Sequence, residues 1–130
     1  MTATPTIFAP DLGGVVKATW DFAEHGGAIG DIELDLKLPE NAVVYGGIVD
    51  VVTDPTSGGA ATIALKIESA ADLLAPTLLA LATGQLDIIP SGLAATVVKT
   101  TVERTLALTV GVSALTAGKL SVFLFYFRSE

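Results

Sequence analysis

The chain has 130 residues, a formal charge of −7 and no cysteine. This length fits a single domain whose core is large enough to fold without disulfides. The absence of thiols excludes disulfides, thiolate metal sites and cysteine nucleophiles. The acidic charge, with only seven scattered basic residues, argues against nucleic acid or an anionic membrane as a partner.

The composition is unusually apolar for a soluble monomer of this size. Hydrophobic residues make up 51% of the chain, and the mean hydropathy is +0.65. Soluble monomers rarely expose large contiguous apolar patches. Part of this apolar content is therefore expected either to complete the core or to be buried against other chains.

Residues 1–13 are predicted to form an extended arm. The prolines of "TPTIFAP" (residues 4–10) lack amide donors and favour extended backbone, and no basic region typical of a signal peptide precedes them. Between these prolines lie Ile7 and Phe8, a candidate apolar hook for a neighbouring subunit. A frayed terminus is the alternative interpretation. No apolar run in the sequence reaches the length of a membrane span.

Strand patterns follow the arm. "VVKATWDFA" (Val15–Ala23) is rich in strand formers, and "HGGAIG" (His25–Gly30) has the glycines of a turn. "DIELDLKL" (Asp31–Leu38) alternates aliphatic and charged residues, which predicts an antiparallel strand with one buried and one solvated face. "AVVYGGIVDVVT" (Ala42–Thr53) predicts a long strand, and its Gly46-Gly47 pair indicates a bulge.

A hairpin and a short helix are predicted next. "DPTSGG" (Asp54–Gly59) has the composition of a tight turn, so its two glycines are expected at positive φ. Ala60–Glu68 is then expected to pair with the preceding strand. Ser69 to Asp72 has the spacing of a capping box, which predicts a helix that ends before Pro76.

The C-terminal part predicts one long bent strand or two strands within "LAATVVKTTVERTLALTVGV" (Leu93–Val112), and a final strand, "KLSVFLFYF" (Lys119–Phe127). The final strand is apolar on both faces, and one face carries Phe123, Phe125 and Phe127. An exposed strand of this kind aggregates, so it is expected at the centre of a sheet. Its second face would be covered by the predicted helix, by a loop or by a neighbouring subunit.

Together these elements predict a single all-β domain over residues 14–130, an antiparallel β-sandwich or jelly roll with one short helix. None of its residue patterns specifies an active site. His25 is the sole imidazole and lies in a predicted turn, so a serine triad has no positioned base. "TAGKL" lacks the first glycine and the final Ser or Thr of a phosphate loop.

Two further groups of residues are weighed against ordinary structural roles. Asp31, Glu33 and Asp35 share a strand face, but Ca²⁺ sites usually draw their ligands from a loop that wraps the ion. Four aromatic residues are candidates for a sugar-stacking platform but are interpreted as core residues instead: Trp20, Phe22, Tyr45 and Tyr126. We therefore predict no catalytic, cofactor-binding or metal-binding residue, and expect a protein that is not an enzyme.

Over Trp20–Leu74 the order of strands and turns resembles a known group of proteins. The features are the strand after "GGAIG", the Leu38-Pro39 turn, the "AVV" strand start, "DVVT", "TSGGAATIAL" and "ESAADLL". In these the chain resembles the small head decoration, or cement, proteins of tailed bacteriophages. The resemblance implies a β-sandwich that binds the outer surface of the major capsid protein lattice and stabilises the head.

The resemblance also implies self-association, as a homotrimer or alternatively a dimer, and a location on the virion after a stage in the host cytoplasm. The candidate contacts with capsid or subunit are Ile7, Phe8, Phe123, Phe125 and Phe127. Other hypotheses are a tail, spike or baseplate module of a phage, and a carbohydrate-binding sandwich. A small hydrolase or isomerase is disfavoured because the sequence lacks an acid–base set.

Overall fold

The computed structural model describes residues 13–90 and 97–129. The predicted arm lies outside these ranges except for Gly13, with which the first strand begins. In chain order the elements are β1 (Gly13–Asp21), α1 (Phe22–His25), β2 (Gly30–Leu38), β3 (Ala42–Ser57), β4 (Thr62–Lys66), β5 (Leu74–Leu78), a 3-10 turn (Leu79–Leu81), β6 (Gln85–Ile88), β7 (Val98–Lys99), β8 (Arg104–Gly111) and β9 (Leu115–Arg128).

The strands form two antiparallel sheets with a shared core. The five-stranded sheet has the order β1-β9-β3-β6, and β7 also pairs with β3. The four-stranded sheet has the order β2-β8-β4-β5. The predicted all-β antiparallel sandwich is therefore confirmed.

The core is built from the inward-facing residues of both sheets. In β2 the predicted alternation is confirmed, because Leu34, Leu36 and Leu38 are buried whereas the charged residues between them are exposed. Trp20 on β1 is fully buried, and its indole Nε1 donates to the Gly26 carbonyl at 2.9 Å. A satisfied indole N–H allows this large ring to contribute its full apolar area to the core.

The final strand occupies the centre of the five-stranded sheet, between β1 and β3, as its two apolar faces predicted. Along β9, Leu120, Val122, Leu124 and Tyr126 point into the core and are at most 6% exposed. The bulge expected at Gly46-Gly47 is also present, since the register between β3 and β9 shifts between Val44 and Gly46.

The helix predicted from Ser69 is wrong. The carboxylate of the buried Asp72 instead accepts hydrogen bonds from the amides of Ile67, Glu68 and Ser69, at 2.9, 3.0 and 2.8 Å. Three backbone amides that donate to one carboxylate close a tight turn, and these hydrogen bonds replace those of a helix start. The chain then enters β5, an edge strand that tolerates Pro76 because its outer edge needs no ladder hydrogen bond.

The short helix of the fold lies elsewhere, at the end of the first strand. Phe22–His25 was predicted to continue β1 and enter the turn, but it forms one helical turn. Asp21 is its N-cap, and the Asp21 side chain accepts from the Ala23 amide at 3.0 Å. This single cap satisfies one of the free amides at a helix start and is sufficient for one turn.

The hairpin predicted at Asp54–Gly59 is also wrong. β3 continues to Ser57 and pairs with β9, whereas β4 belongs to the other sheet, so the connection crosses between the sheets. Neither Gly58 nor Gly59 has a positive φ. A Cβ at Gly59 would lie 2.9 Å from the Ser113 hydroxyl oxygen and 3.0 Å from the Ser113 Cβ, so the Ser113 side chain would have to shift.

Candidate assembly surface

The outer face of the five-stranded sheet carries a patch of exposed and half-buried apolar residues. We call it the aromatic face, and it comprises Val15, Tyr45, Ile48, Phe123, Phe125 and Phe127. Val15 is 64% exposed, Tyr45 53% and Phe127 46%. The segment from Ser69 leads into the four-stranded sheet, so the suggestion that it covers this face is wrong.

The Tyr45 ring lies beside two phenylalanine rings of this face. The Tyr45 ring centroid lies 6.4 Å from that of Phe125 and 6.0 Å from that of Phe127, with interplanar angles of 42° and 34°. The register shift makes Tyr45 the extra residue between Val44 and Gly46, and its side chain lies on the outer side of the sheet. Tilted rings of this kind form a continuous apolar surface.

Charged residues lie on both sides of the aromatic face. In the register of the sheet, Lys17 on β1 is opposite Phe123 on β9, Phe123 is opposite Ile48 on β3, and Ile48 is opposite Asp87 on β6. Directly opposed residues share a face of the sheet. One transverse row therefore carries a cation at one edge and an anion at the other. The Lys17 ammonium also lies 5.6 Å from the Phe123 ring centroid.

The outer face of the four-stranded sheet has the opposite character. On β2 the side chains of Asp31, Glu33, Asp35 and Lys37 are exposed. Asp31 accepts from the Thr109 hydroxyl at 2.8 Å and pairs with Lys66 at 3.1 Å. These two hydrogen bonds, that of Thr109 first, lower the pKa of Asp31. The solvated face predicted for β2 is thus confirmed.

Glu68 forms a polar anchor at the end of β4. Its carboxylate accepts two hydrogen bonds from Arg104, at 2.9 and 3.1 Å, and two from Thr101, at 3.1 and 2.8 Å. These bonds, those from Arg104 first, lower the pKa of Glu68 to about 2. The bidentate geometry joins β4 to the start of β8 and has a structural role.

The structure assigns ordinary roles to the other sequence candidates. The Nδ1 atom of His25 accepts from the Asp21 amide at 3.2 Å, within the helical turn. Trp20 and Tyr126 are buried in the core, as interpreted, whereas Tyr45 is exposed and does not belong there. Across the described ranges, no group of three or more His, Asp or Glu residues is arranged to hold a metal.

Of the five predicted contact residues, the structure brings three together. Phe123, Phe125 and Phe127 lie side by side along β9 on the aromatic face. Ile7 and Phe8 lie outside the described residues. The strand that would follow their arm starts at Gly13, which is opposite Phe127 at one end of the aromatic face. Among the described residues, no helix is long and apolar enough to cross a membrane.

Comparisons with known proteins find similarity at the level of structure. No protein family model and no curated protein matches the sequence. Three solved structures have chains with a similar fold. One is the capsid of Ralstonia phage GP4, with 26% identity, a TM-score of 0.64, and coverage of 100% of this chain and 92% of that one.

The second is the acidic stable capsid structure of Helicobacter pylori bacteriophage KHP30, with 17% identity and a TM-score of 0.65, covering 92% of this chain and 90% of that one. The third is the capsid asymmetric unit of cyanophage Pam1, with 18% identity and a TM-score of 0.63, covering 99% of this chain and 94% of that one. High coverage in both directions means that the similar chains are about as long as this one. The sandwich described above is thus a fold also found in bacteriophage capsids.

Proposed function

We propose that this chain is a structural protein of a tailed-bacteriophage head, a decoration or cement protein on the outer surface of the major capsid protein lattice. The observation that carries the proposal is the exposed aromatic face on a sandwich whose fold recurs in phage capsids. An exposed apolar patch of this kind marks a surface that is buried in an assembly. The aromatic face is the contact with the lattice or with a neighbouring copy.

The charge of the chain supports an external position. A protein on the inner surface would lie against packaged DNA, whose phosphates favour basic partners. This chain carries −7, and acidic side chains line the outer face of its four-stranded sheet. In the proposed arrangement that charged face is turned toward solvent, which also keeps the decorated particles soluble and mutually repulsive.

The proposed partners are the major capsid protein and other copies of this chain, arranged as a homotrimer or a dimer. A capsid presents many equivalent sites, so weak individual contacts combine into strong attachment. Ile7 and Phe8 on the N-terminal arm are proposed to reach the lattice. The protein would act on the virion after synthesis in the host cytoplasm.

A binding assay with undecorated heads tests the proposal. Heads of the parent phage assembled without this chain are mixed with purified protein and pelleted, and the bound protein is quantified. Phe127→Asp places a carboxylate in the aromatic face and is expected to weaken binding at least tenfold, because an apolar contact then buries an unpaired charge. Leu78→Asp is the matched control, since Leu78 is 50% exposed but lies on the edge strand of the other sheet.

The outcomes separate three conclusions. Binding by the wild type and the Leu78 variant but not by the Phe127 variant supports the proposal. Equal binding by all three removes the aromatic face from the interface. If the folded wild-type protein does not bind the heads at all, the decoration function is wrong, and immunogold labelling of tail, spike and baseplate tests the runner-up position.

A carbohydrate-binding sandwich is the second candidate, favoured by the exposed Tyr45 phenol beside Phe127. The 34° and 42° angles between these rings give no flat platform of the kind that stacks on a sugar ring. Neighbouring members of the aromatic face also supply few polar groups to bind hydroxyls. A glycan array with wild type and a Tyr45→Ala variant decides this alternative, which requires binding that the substitution abolishes.

A further inference from the structure

The transverse row of Lys17, Phe123, Ile48 and Asp87 is the feature that the proposed function leaves unexplained. Its two central residues are apolar and its two ends carry opposite charges. We propose that the aromatic face packs against the same face of a second copy, about a two-fold axis that runs parallel to the strands. This inference rests on the proposed role of the aromatic face as an assembly surface, and it names the partner.

The symmetry operation makes the row complementary to itself. A two-fold axis along the strands, midway between β9 and β3, reverses the order of the strands in the partner subunit. It keeps each row at the same position along the strand direction. Lys17 then faces Asp87 of the partner subunit, and Phe123 faces Ile48 of the partner subunit. Strands are about 4.8 Å apart, so the two charges of one row are separated by three steps, or about 14 Å, and lie at opposite rims of the interface.

In the neighbouring rows, phenylalanine rings on β9 are opposite smaller residues on β3. Phe125 is opposite Gly46 in the register of the sheet, and Phe127 is opposite Val43. Under the same operation, the Phe125 ring lies over Gly46 of the partner subunit and beside the exposed Tyr45 ring of the partner subunit. Sheets packed face to face are separated by about 10 Å, a distance that interdigitated large and small residues fill.

The charges of this row favour the parallel axis. A two-fold axis perpendicular to the strands and passing through the row would reverse each strand and keep the edges aligned, placing Lys17 near Lys17 and Asp87 near Asp87. Like charges at close range oppose such an arrangement. A three-fold ring uses heterologous contacts, so no face meets its own copy. Among arrangements that keep this row opposite its own copy, the parallel two-fold axis is the one that gives Lys17 and Asp87 oppositely charged partners.

The arrangement also has a consequence for attachment to the head. An axis parallel to the strands keeps the two copies of Gly13 at the same end of the dimer, where β1 begins. The two N-terminal arms therefore start from one end of the assembly. A bivalent attachment to the lattice becomes possible, in which the second arm binds at a high effective concentration.

Reversal of the two charges tests the inference. Sedimentation velocity measures the dimer dissociation constant of the wild type, Lys17→Glu, Asp87→Lys and the double variant. Each single variant places like charges together twice per dimer, so the dissociation constant is expected to rise at least about tenfold. The double variant restores opposite charges, so its dissociation constant should return to within about threefold of that of the wild type.

Matched controls carry the same charge changes on the other sheet. Lys37→Glu and Asp35→Lys alter exposed residues of β2 and are expected to leave the dissociation constant within about twofold of the wild type. Thermal melts verify that every variant is folded. A wild-type protein that is monomeric at about 100 µM, a trimeric mass, unaffected single variants or an unrescued double variant would each overturn the inference.

The head-binding assay keeps this inference separate from the proposed function. A monomeric wild-type protein that still pellets with undecorated heads overturns the two-fold pairing and leaves the decoration function standing. A charge-dependent dimer that does not bind heads supports the pairing and overturns the decoration function.

Discussion

The turn held by Asp72 provides the sharpest test of how this sequence specifies its fold. Asp72 is 7% exposed, and its carboxylate accepts hydrogen bonds from three consecutive amides, those of Ile67, Glu68 and Ser69. Replacement of Asp72 by alanine removes all three acceptors at once. The turn also orients Leu73, whose amide donates to the Leu65 carbonyl at 3.1 Å and extends the contact with β4.

The expected magnitude follows from the burial of each donor. The Ile67 amide is buried, and a buried donor without a partner costs about 1–3 kcal/mol. Water can reach the other two, part-buried amides, so each is expected to cost about 0.5–1 kcal/mol. Asp72→Ala should therefore lower the free energy of unfolding by about 3 kcal/mol, a large part of the roughly 5–15 kcal/mol of a typical domain.

Urea unfolding followed by circular dichroism measures this change, with exposed Asp35→Ala as the control expected within about 0.5 kcal/mol of the wild type. Asp72→Asn retains one carbonyl oxygen and should lose about 1–2 kcal/mol. Ser69→Ala discriminates the turn from a capping-box helix, in which the Ser69 hydroxyl would be the cap. A loss below 1 kcal/mol for Asp72→Ala, or a larger loss for Ser69→Ala, would refute the reasoning.

Three further predictions follow from the same structure. The pKa of Glu68 is lowered from 4.5 to about 2, so its ionised carboxylate contributes about 1 kcal/mol to the free energy of unfolding. This contribution is present above about pH 4.5 and is lost as the pH falls toward 2. Glu68→Gln should therefore make the free energy of unfolding less dependent on pH over that range. Gly59→Val should destabilise by about 1–2 kcal/mol through its contact with Ser113, whereas Gly58→Val should be nearly neutral in thermal melts. Deletion of residues 1–12 should leave circular dichroism unchanged but weaken head binding, and unfolding would contradict the predicted arm.

Local patterns in the sequence determined the fold class and part of the candidate surface. The alternation in Asp31–Leu38 identified the inward face of β2, because side chains on a strand point alternately to its two sides. Lys119–Phe127 was recognised as a central strand because both of its faces are apolar. The same reasoning placed Phe123, Phe125 and Phe127 together on a second face.

Where a local pattern allowed two structures, the hydrogen bonds formed in the folded chain decided between them. Ser69–Asp72 satisfies the local pattern of a helix cap, but the Asp72 carboxylate accepts hydrogen bonds from three amides on its N-terminal side. The chain after this turn forms β5, which pairs with β4, where a helix was predicted. Asp54–Gly59 satisfies the local pattern of a hairpin, but the pairing of β3 with β9 extends through it. The predicted hairpin was overruled by hydrogen bonds to a distant strand, and the predicted helix by the bonds that Asp72 accepts from amides three to five residues before it.

The candidate surface shows the same division. Composition indicated that apolar residues either complete the core or are buried against other chains, and periodicity placed three phenylalanines on one face of the final strand. The exposure of Tyr45 was visible only once β3 was placed in its sheet, and the row from Lys17 to Asp87 needed the register of four strands from separate parts of the sequence. Sequence periodicity fixes the side of a strand on which a residue lies. Only the pairing of strands fixes which residues are neighbours across the sheet, and therefore where the charges stand around the aromatic face.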